Sequence, residues 1–112
     1  MNLPGNANPV TVNDVGTTTP GAAVQINVLG NDSDPNGDTL TVISFSQGSN
    51  GTVVCLSNGT CTYTPNANFT GQDTFTYTAS DGKGGQKTGQ VAVDVTTADT
   101  TVNAPALNLS VA

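Results

Sequence analysis

Three of the eight carboxylates of this 112-residue chain fall in one short stretch, Asn31-Asp32-Ser33-Asp34-Pro35-Asn36-Gly37-Asp38. Asn31, Ser33 and Asn36 add neutral oxygens, while Pro35 and Gly37 impose a tight turn. Like charges this close repel, so the segment gains from a bound cation. Hard oxygen donors at alternating positions suit Ca²⁺, which takes six to eight oxygens in flexible geometry. The stretch is not an EF-hand, because no Glu closes a twelve-residue loop and no helical pattern flanks it. Asp, Asn, Gly and Pro are also ordinary turn residues, so the alternative is a solvated acidic turn.

A second candidate is the cysteine pair. Cys55 and Cys61 bracket Leu56-Ser57-Asn58-Gly59-Thr60. A three-residue hairpin loop at Ser57, Asn58 and Gly59, with Gly59 left-handed, is a common form. It places Cys55 opposite Cys61, and a non-hydrogen-bonded antiparallel pair brings Cα atoms to about 4.5 Å, within disulfide range. The expectation is a cross-strand disulfide formed in an oxidising compartment. The alternative is two free thiols on neighbouring strands. With no third Cys and no His, a metal site of the zinc type is not indicated.

The elements that must position these residues are strands. Val10–Val12, Ala23–Val28, Thr39–Phe45, Gly51–Cys55, Cys61–Thr64, Asp73–Ala79 and Gln86–Val95 are separated by turn residues, and several of them alternate apolar with polar side chains. Phe75, Tyr77 and Ala79 share one face, as do Val91, Val93 and Val95. Phe69, on the longer connection 65–71, is expected to tuck into the edge. About seven strands and no helical period predict an all-β, two-sheet Greek-key sandwich of antiparallel strands. In that topology the loop after the second strand and the loop before the last share one end. The second of these is Ser80-Asp81-Gly82-Lys83-Gly84-Gly85. The expected calcium ligands are therefore Asp32, Asp34, Asp38 and Asp81, with a backbone carbonyl near Asn36. Lys83 is a rival partner for Asp81 through a plain salt bridge.

The domain reading is 1–8 as an N-terminal linker, 9–96 as the sandwich, and 97–112 as a linker or the start of a next module. An eighth strand over Leu107–Val111 is the alternative for that tail. Met1 leads straight into Asn, Pro and Gly, so the chain is expected to be a piece of a longer protein whose export signal lies elsewhere. A net charge of −6 with Lys83 and Lys87 as the only cationic side chains argues against nucleic acid and anionic membrane surfaces. No stretch reaches transmembrane length.

Catalysis lacks its usual groups. Neither His nor Glu occurs, and no nucleophile elbow, phosphate loop or zinc signature is present. Paired aspartates serve glycosidases, but only as a carboxyl pair across a cleft. A Lys–Asn isopeptide is disfavoured because both lysines fall at or near a loop. The Asn-x-Ser/Thr matches at Asn31, Asn50, Asn58, Asn68 and Asn108 are expected by chance in so Asn- and Thr-rich a chain.

Three linked segments carry a resemblance. Val28-Leu29-Gly30-Asn31-Asp32-Ser33-Asp34-Pro35-Asn36-Gly37-Asp38-Thr39-Leu40 resembles the "VLxNDxDPxGDxL" segment of bacterial cadherin-like and Ig-like tandem repeats. Gly51-Thr52-Val53 through Tyr63-Thr64-Pro65 to Phe69 is similar to their "GTV…DGT…YTPxxxF" segment, and Gly71 through Tyr77 with Asp81-Gly82-Lys83-Gly84-Gly85 to "GxDxFxYxxxDGxGG". The likeness runs from about Pro9 to Val95. It implies an Ig/cadherin-like sandwich from large secreted or surface-anchored repeat proteins such as adhesins and RTX-type proteins, with calcium in the acidic loops. Cys55 and Cys61 depart from the pattern, which carries apolar residues there, and Asn13-Asp14 has one Asp where two are frequent.

Two functions are left to weigh. One is a calcium-stiffened spacer or adhesion module, monomeric when isolated, whose expected partners are neighbouring repeats, with glycans or other surface proteins as further candidates. The other is a carbohydrate-binding module of a secreted polysaccharide-degrading or surface protein. The five aromatics, Phe45, Tyr63, Phe69, Phe75 and Tyr77, mostly alternate into the core, which leaves few sugar-stacking platforms and favours the spacer.

Overall fold

Period-two alternation assigns each strand an inner and an outer face, and two such sheets bury their inner faces against each other. A computed structural model describes residues 5–97. The tail readings from residue 98 onward lie outside the described residues. Seven strands occur in the order β1 (Asp14–Thr18), β2 (Val24–Asn27), β3 (Thr41–Phe45), β4 (Gly51–Cys55), β5 (Thr60–Pro65), β6 (Gly71–Ser80) and β7 (Gln86–Val95), with no helix among the described residues. One sheet has the order β1-β7-β6-β3 and the other β2-β5-β4. Val28, Val53, Cys61, Tyr63, Phe75, Tyr77, Ala79, Val91, Val93 and Val95 form the interior, each at most 2% exposed. The Tyr63 and Phe75 rings stack across the two sheets with centroids 6.2 Å apart. Phe69 packs partly buried against this core, as its place in the sequence implies.

The first strand differs from expectation in place and in direction. It is Asp14–Thr18, not Val10–Val12, and it runs parallel to β7. The other strand pairs are antiparallel. The inner positions of β1 hold Asp14 and Gly16, while Val15 points out and is 80% exposed. Apolar alternation is thus absent where the strand lies. Gly16 lets the sheets approach closely there, since a Cβ would sit 2.8 Å from the tip of Ile26 in the facing sheet. Val10 makes only an isolated bridge to Ser33, exchanging 2.8 and 3.0 Å bonds that draw the N-terminal segment along the acidic loop.

At one end of the sandwich Asp73 is buried, 5% exposed, at the start of β6. Its carboxylate accepts the Tyr63 hydroxyl at 2.7 Å and the backbone N–H groups of Ser49, Asn50 and Thr74 at 3.0, 2.9 and 2.9 Å. Burial pushes this carboxyl up, but the Tyr63 hydroxyl and the three amides together outweigh it and hold it below its ordinary value. A depressed acid stabilises the fold above its unfolded pKa, and that stability drains away as pH falls through the folded value. Asp73→Ala strands the Tyr63 hydroxyl and two turn amides, so a loss of about 3 kcal/mol is expected in urea unfolding near neutral pH. The difference between variant and parent should shrink on acidification towards about pH 3.

Candidate metal centre

The β2–β3 connection is built by its own carboxylates. After Val28 the chain turns twice, with Gly30 N–H donating to Asn27 and Asp32 N–H to Leu29 at 3.3 and 3.2 Å. One oxygen of Asp34 then accepts both Asn36 N–H and Asp38 N–H at 3.0 Å, an Asx turn that curls the chain around the carboxylate. Gly37 closes this turn at φ +76°, where a side chain would be strained. The β6–β7 connection repeats the device. Asp81 Oδ1 accepts Lys83 N–H at 2.8 Å and Gly85 N–H at 2.9 Å. A Cβ on Gly85 would fall 2.3 Å from Asp81 Oδ2, so the turn needs Gly there.

The two loops meet at one end of the sandwich. Asp34, Asp38 and Asp81 each offer an oxygen within 4.8 Å of the others'. Two oxygens bound to one Ca²⁺ at about 2.4 Å lie at most about 4.8 Å apart, so the spacing fits a shared ion. The hydrogen bonding fits too. Asp34 is oriented through one oxygen, and its Oδ1 is buried without a partner. Asp38 Oδ1 accepts Lys83 Nζ at 2.5 Å, and its Oδ2 is likewise buried and unpartnered. Three carboxylates against one ammonium leave a local charge of about −2, which a dication would balance. Six or more ligands would need backbone or water oxygens besides these three.

Lys83 pairs with Asp38, not with Asp81. Its side chain is 52% exposed, so the pair is weak and the ammonium can swing into solvent. The Asp38 hydrogen bond and charge hold Lys83 above its ordinary pKa. Asp81 is 4% exposed; burial pushes its carboxyl up, but Asn6 and the Lys83 and Gly85 amides prevail and hold it low.

Of the residues expected at the centre, Asp34, Asp38 and Asp81 converge, while the Asp32 carboxylate faces elsewhere; the donor expected near Asn36 is a backbone carbonyl, on which the direction of its side chain does not bear. Asp32 accepts Val12 N–H at 2.8 Å and the buried Tyr77 hydroxyl at 2.5 Å. The Asn36 side-chain oxygen accepts Ala7 N–H at 2.8 Å. Asp32 still lines an open cavity of about 310 Å³ with Asp34, Asp38, Asn27, Leu29 and Asn58. Three participants were missed in the sequence. Asn6, within the segment read as linker, donates to Asp81 at 2.8 Å. Tyr77 reads only as a core aromatic. Asp14 is 9% exposed with an unpartnered Oδ2. Its signal in the sequence is the Asn13-Asp14 pair noted in the resemblance, which says nothing of what the carboxylate faces.

A family of proteins described as bacterial Ig domains matches residues 6–94. No curated protein matches the chain. Among solved structures, a nucleoside hydrolase-related hypothetical protein from Saccharophagus degradans, associated with carbohydrate metabolism, is 20% identical with a TM-score of 0.63, over 81% of this chain and 26% of that one. The endo-fucoidan hydrolase MfFcnA4 of glycoside hydrolase family 107 is 21% identical with a TM-score of 0.58, over 88% of this chain and 15% of its own. The related MfFcnA9 is 20% identical with a TM-score of 0.51, over 85% of this chain and 17% of its own. The chain thus spans about a quarter or less of each, and the likeness shows a shared fold.

Burial first, and the nearby Asp32 charge second, push Asp14 up to about 6, against hydrogen bonds from Asn31 and Tyr77 that lower it. A raised acid stabilises the fold relative to neutral pH only while protonated: stability falls as pH rises from the unfolded value of 3.8 towards about 6. Asp14→Asn should therefore raise stability by about 1 kcal/mol near pH 7.5 and leave it unchanged near pH 4, read by thermal unfolding at both. A uniform gain at both pH values would contradict the assignment.

Proposed function

The chain belongs to the bacterial Ig domain family, and from that premise we propose that it is a non-catalytic module of an extracellular protein that binds Ca²⁺ at one end of its sandwich. The observation that carries the metal is the pair of buried, unpartnered oxygens on Asp34 and Asp38, within reach of a third carboxylate from a different loop. Asp34, Asp38 and Asp81 would hold the ion; Asp32 would act from behind by tying the loop to Tyr77. The ion's chemistry is charge neutralisation, which lets three carboxylates share one space.

The consequence is mechanical. Asn6 and Ala7 bond to Asp81 and Asn36, so the segment that precedes the sandwich is already fastened to the acidic end. Ordering that end with a dication orders the joint to whatever precedes it, as a spacer or adhesion module in an array of repeats requires. The disulfide supports an extracellular setting. The buried carboxylates of Asp73 and Asp81 are taken up by backbone amides, a tyrosine hydroxyl and Asn6, not paired across a cleft, which supports a module without catalysis. A glycan-binding function is less well supported, because Tyr63, Phe75 and Tyr77 are buried, Phe45 on β3 is the one exposed aromatic among the described residues, and no aromatic lines the cavity.

Extracellular calcium modules bind at about 10⁻⁴ to 10⁻³ M. At ten times the dissociation constant, binding adds about 1.4 kcal/mol, or several degrees in Tm for a domain of this size. Tm should rise with calcium, fall with chelator and stop responding in Asp34→Ala, with a smaller response to magnesium. Lys83→Met removes the rival cation and should tighten calcium binding by up to about fivefold in calorimetry. Absence of both heat and Tm shift at millimolar calcium would leave a passive spacer with a solvated turn.

A further inference from the structure

The cysteine hairpin does more than close on itself. Cys55 ends β4 and Cys61 lies opposite it in β5, Cα atoms 3.9 Å apart, joined by a disulfide. Between them, Leu56 N–H donates to Thr60 at 2.8 Å and Gly59 N–H to Leu56 at 3.0 Å, with Gly59 at φ +98°. The tip then reaches across to both stems of the acidic loop. Val28 N–H, on the outgoing stem, donates to Gly59 C=O at 2.9 Å. Val42 N–H, on the returning stem, donates to Ser57 C=O at 3.0 Å. Leu29 packs so closely on Gly59 that a Cβ there would lie 2.8 Å from its Cγ. Asn58, at the crown of the hairpin, lines the same cavity as Asp34 and Asp38.

The two sides of the tip are not equally secure. Thr60 is paired with Asn27 of β2, and β5 is the central strand of its sheet, so Gly59 is held from two directions. Ser57 follows β4, an edge strand whose end is fastened to β5 by Cys55. Without the covalent bond, the β4 end is free to fray from β5. The carbonyl that clamps Val42 would move with it, and the returning stem of the acidic loop would lose its fixed point.

We propose that the Cys55–Cys61 bond is a positioning bond for the cation centre: it fixes the Ser57 carbonyl that clamps the returning stem of the acidic loop, and calcium affinity at Asp34, Asp38 and Asp81 depends on its integrity. This rests on the cation reading above, and the test separates the two. A dithiol reductant such as dithiothreitol supplies the two electrons and two protons that convert the disulfide to two thiols, itself closing to a cyclic disulfide. Reduction thus loosens the loop in the unliganded protein, and binding must pay for reordering it.

The experiment compares three samples: the oxidised protein, the same protein in excess dithiothreitol, and Cys55→Val with Cys61→Val, which keeps an apolar cross-strand pair without the bond. Each is titrated with calcium chloride by calorimetry, and amide hydrogen exchange is followed by NMR without calcium. The expected result is calcium affinity about tenfold weaker in both uncrosslinked samples. Exchange should quicken at Val42 and Asp32 and hold steady at Val28, whose partner Gly59 is held by β5, and at Phe75 and Val93 on the inner strands β6 and β7. Equal affinity in oxidised and reduced protein overturns the proposal, as does exchange that rises uniformly, which marks a merely global loss of stability. If no sample binds calcium, the cation reading fails and exchange alone decides: a selective rise at the returning stem supports the positioning role, and no rise overturns it. If the double variant does not fold, the reduced native protein carries the same comparison.

Discussion

Seven aspartates and two lysines among the described residues set the problem that the rest of the structure answers. Carboxylates buried without countercharge must be met by hydrogen-bond donors, because an unpaired buried charge costs several kcal/mol. The backbone supplies most of them. Asp73 takes three amides and a tyrosine hydroxyl, Asp81 two amides and Asn6, Asp34 two amides, and Asp32 one amide and Tyr77. Asp34 and Asp81 are turn-builders first. The turns exist in their present form because an oxygen at their centre gathers the N–H groups.

The two ends of the sandwich solve the problem unequally. Asp73 opens β6 and Asp81 follows its end, eight residues on, or about 26 Å along an extended strand. At the Asp73 end the donors suffice, and the site is closed and structural. At the Asp81 end two oxygens, on Asp34 and Asp38, remain buried without partners, and the one ammonium nearby is half in solvent. Asp14, close to Asp32 and with its own unpartnered oxygen, adds to the deficit. The end with the deficit is also the end where the N-terminal segment, the acidic loop, the β6–β7 loop and the tip of the cysteine hairpin come together. The negative charge left uncompensated at this end, against its full compensation at the other, is the charge that the proposed cation would balance.

Much of this was legible in the chain itself. Phe75-x-Tyr77-x-Ala79 and Val91-x-Val93-x-Val95 name their inner faces by alternation, and all six are buried. The hairpin between Cys55 and Cys61 followed from loop length and Gly59, and its left-handed glycine and disulfide are both present. The β1 strand was not legible. Its inner positions are an acid and a glycine, and it is held by parallel pairing to β7, a partner some 77 positions away in the chain. Val10–Val12 carried the apolar alternation but lies exposed beside the acidic loop, since alternation records only a preference and the sheet had no place for it.

At the centre the same division holds. Sequence alone determined that Asp34, Asp38 and Asp81 sit in Gly- and Asn-rich turns and that the Greek-key order brings those turns to one end, because turn chemistry is local and strand order constrains which loops are neighbours. Only the tertiary structure decided which way each carboxylate faces. Asp32 and Asp34 are two residues apart in one loop, yet one turns to Tyr77 on β6 and the other to the shared cluster. Lys83 lies beside Asp81 in sequence but pairs with Asp38, while Asp81 Oδ1 accepts the amides of its own turn and Oδ2 accepts Asn6. A carboxylate's direction is set by the donors around it, and those donors come from elements distant in the chain.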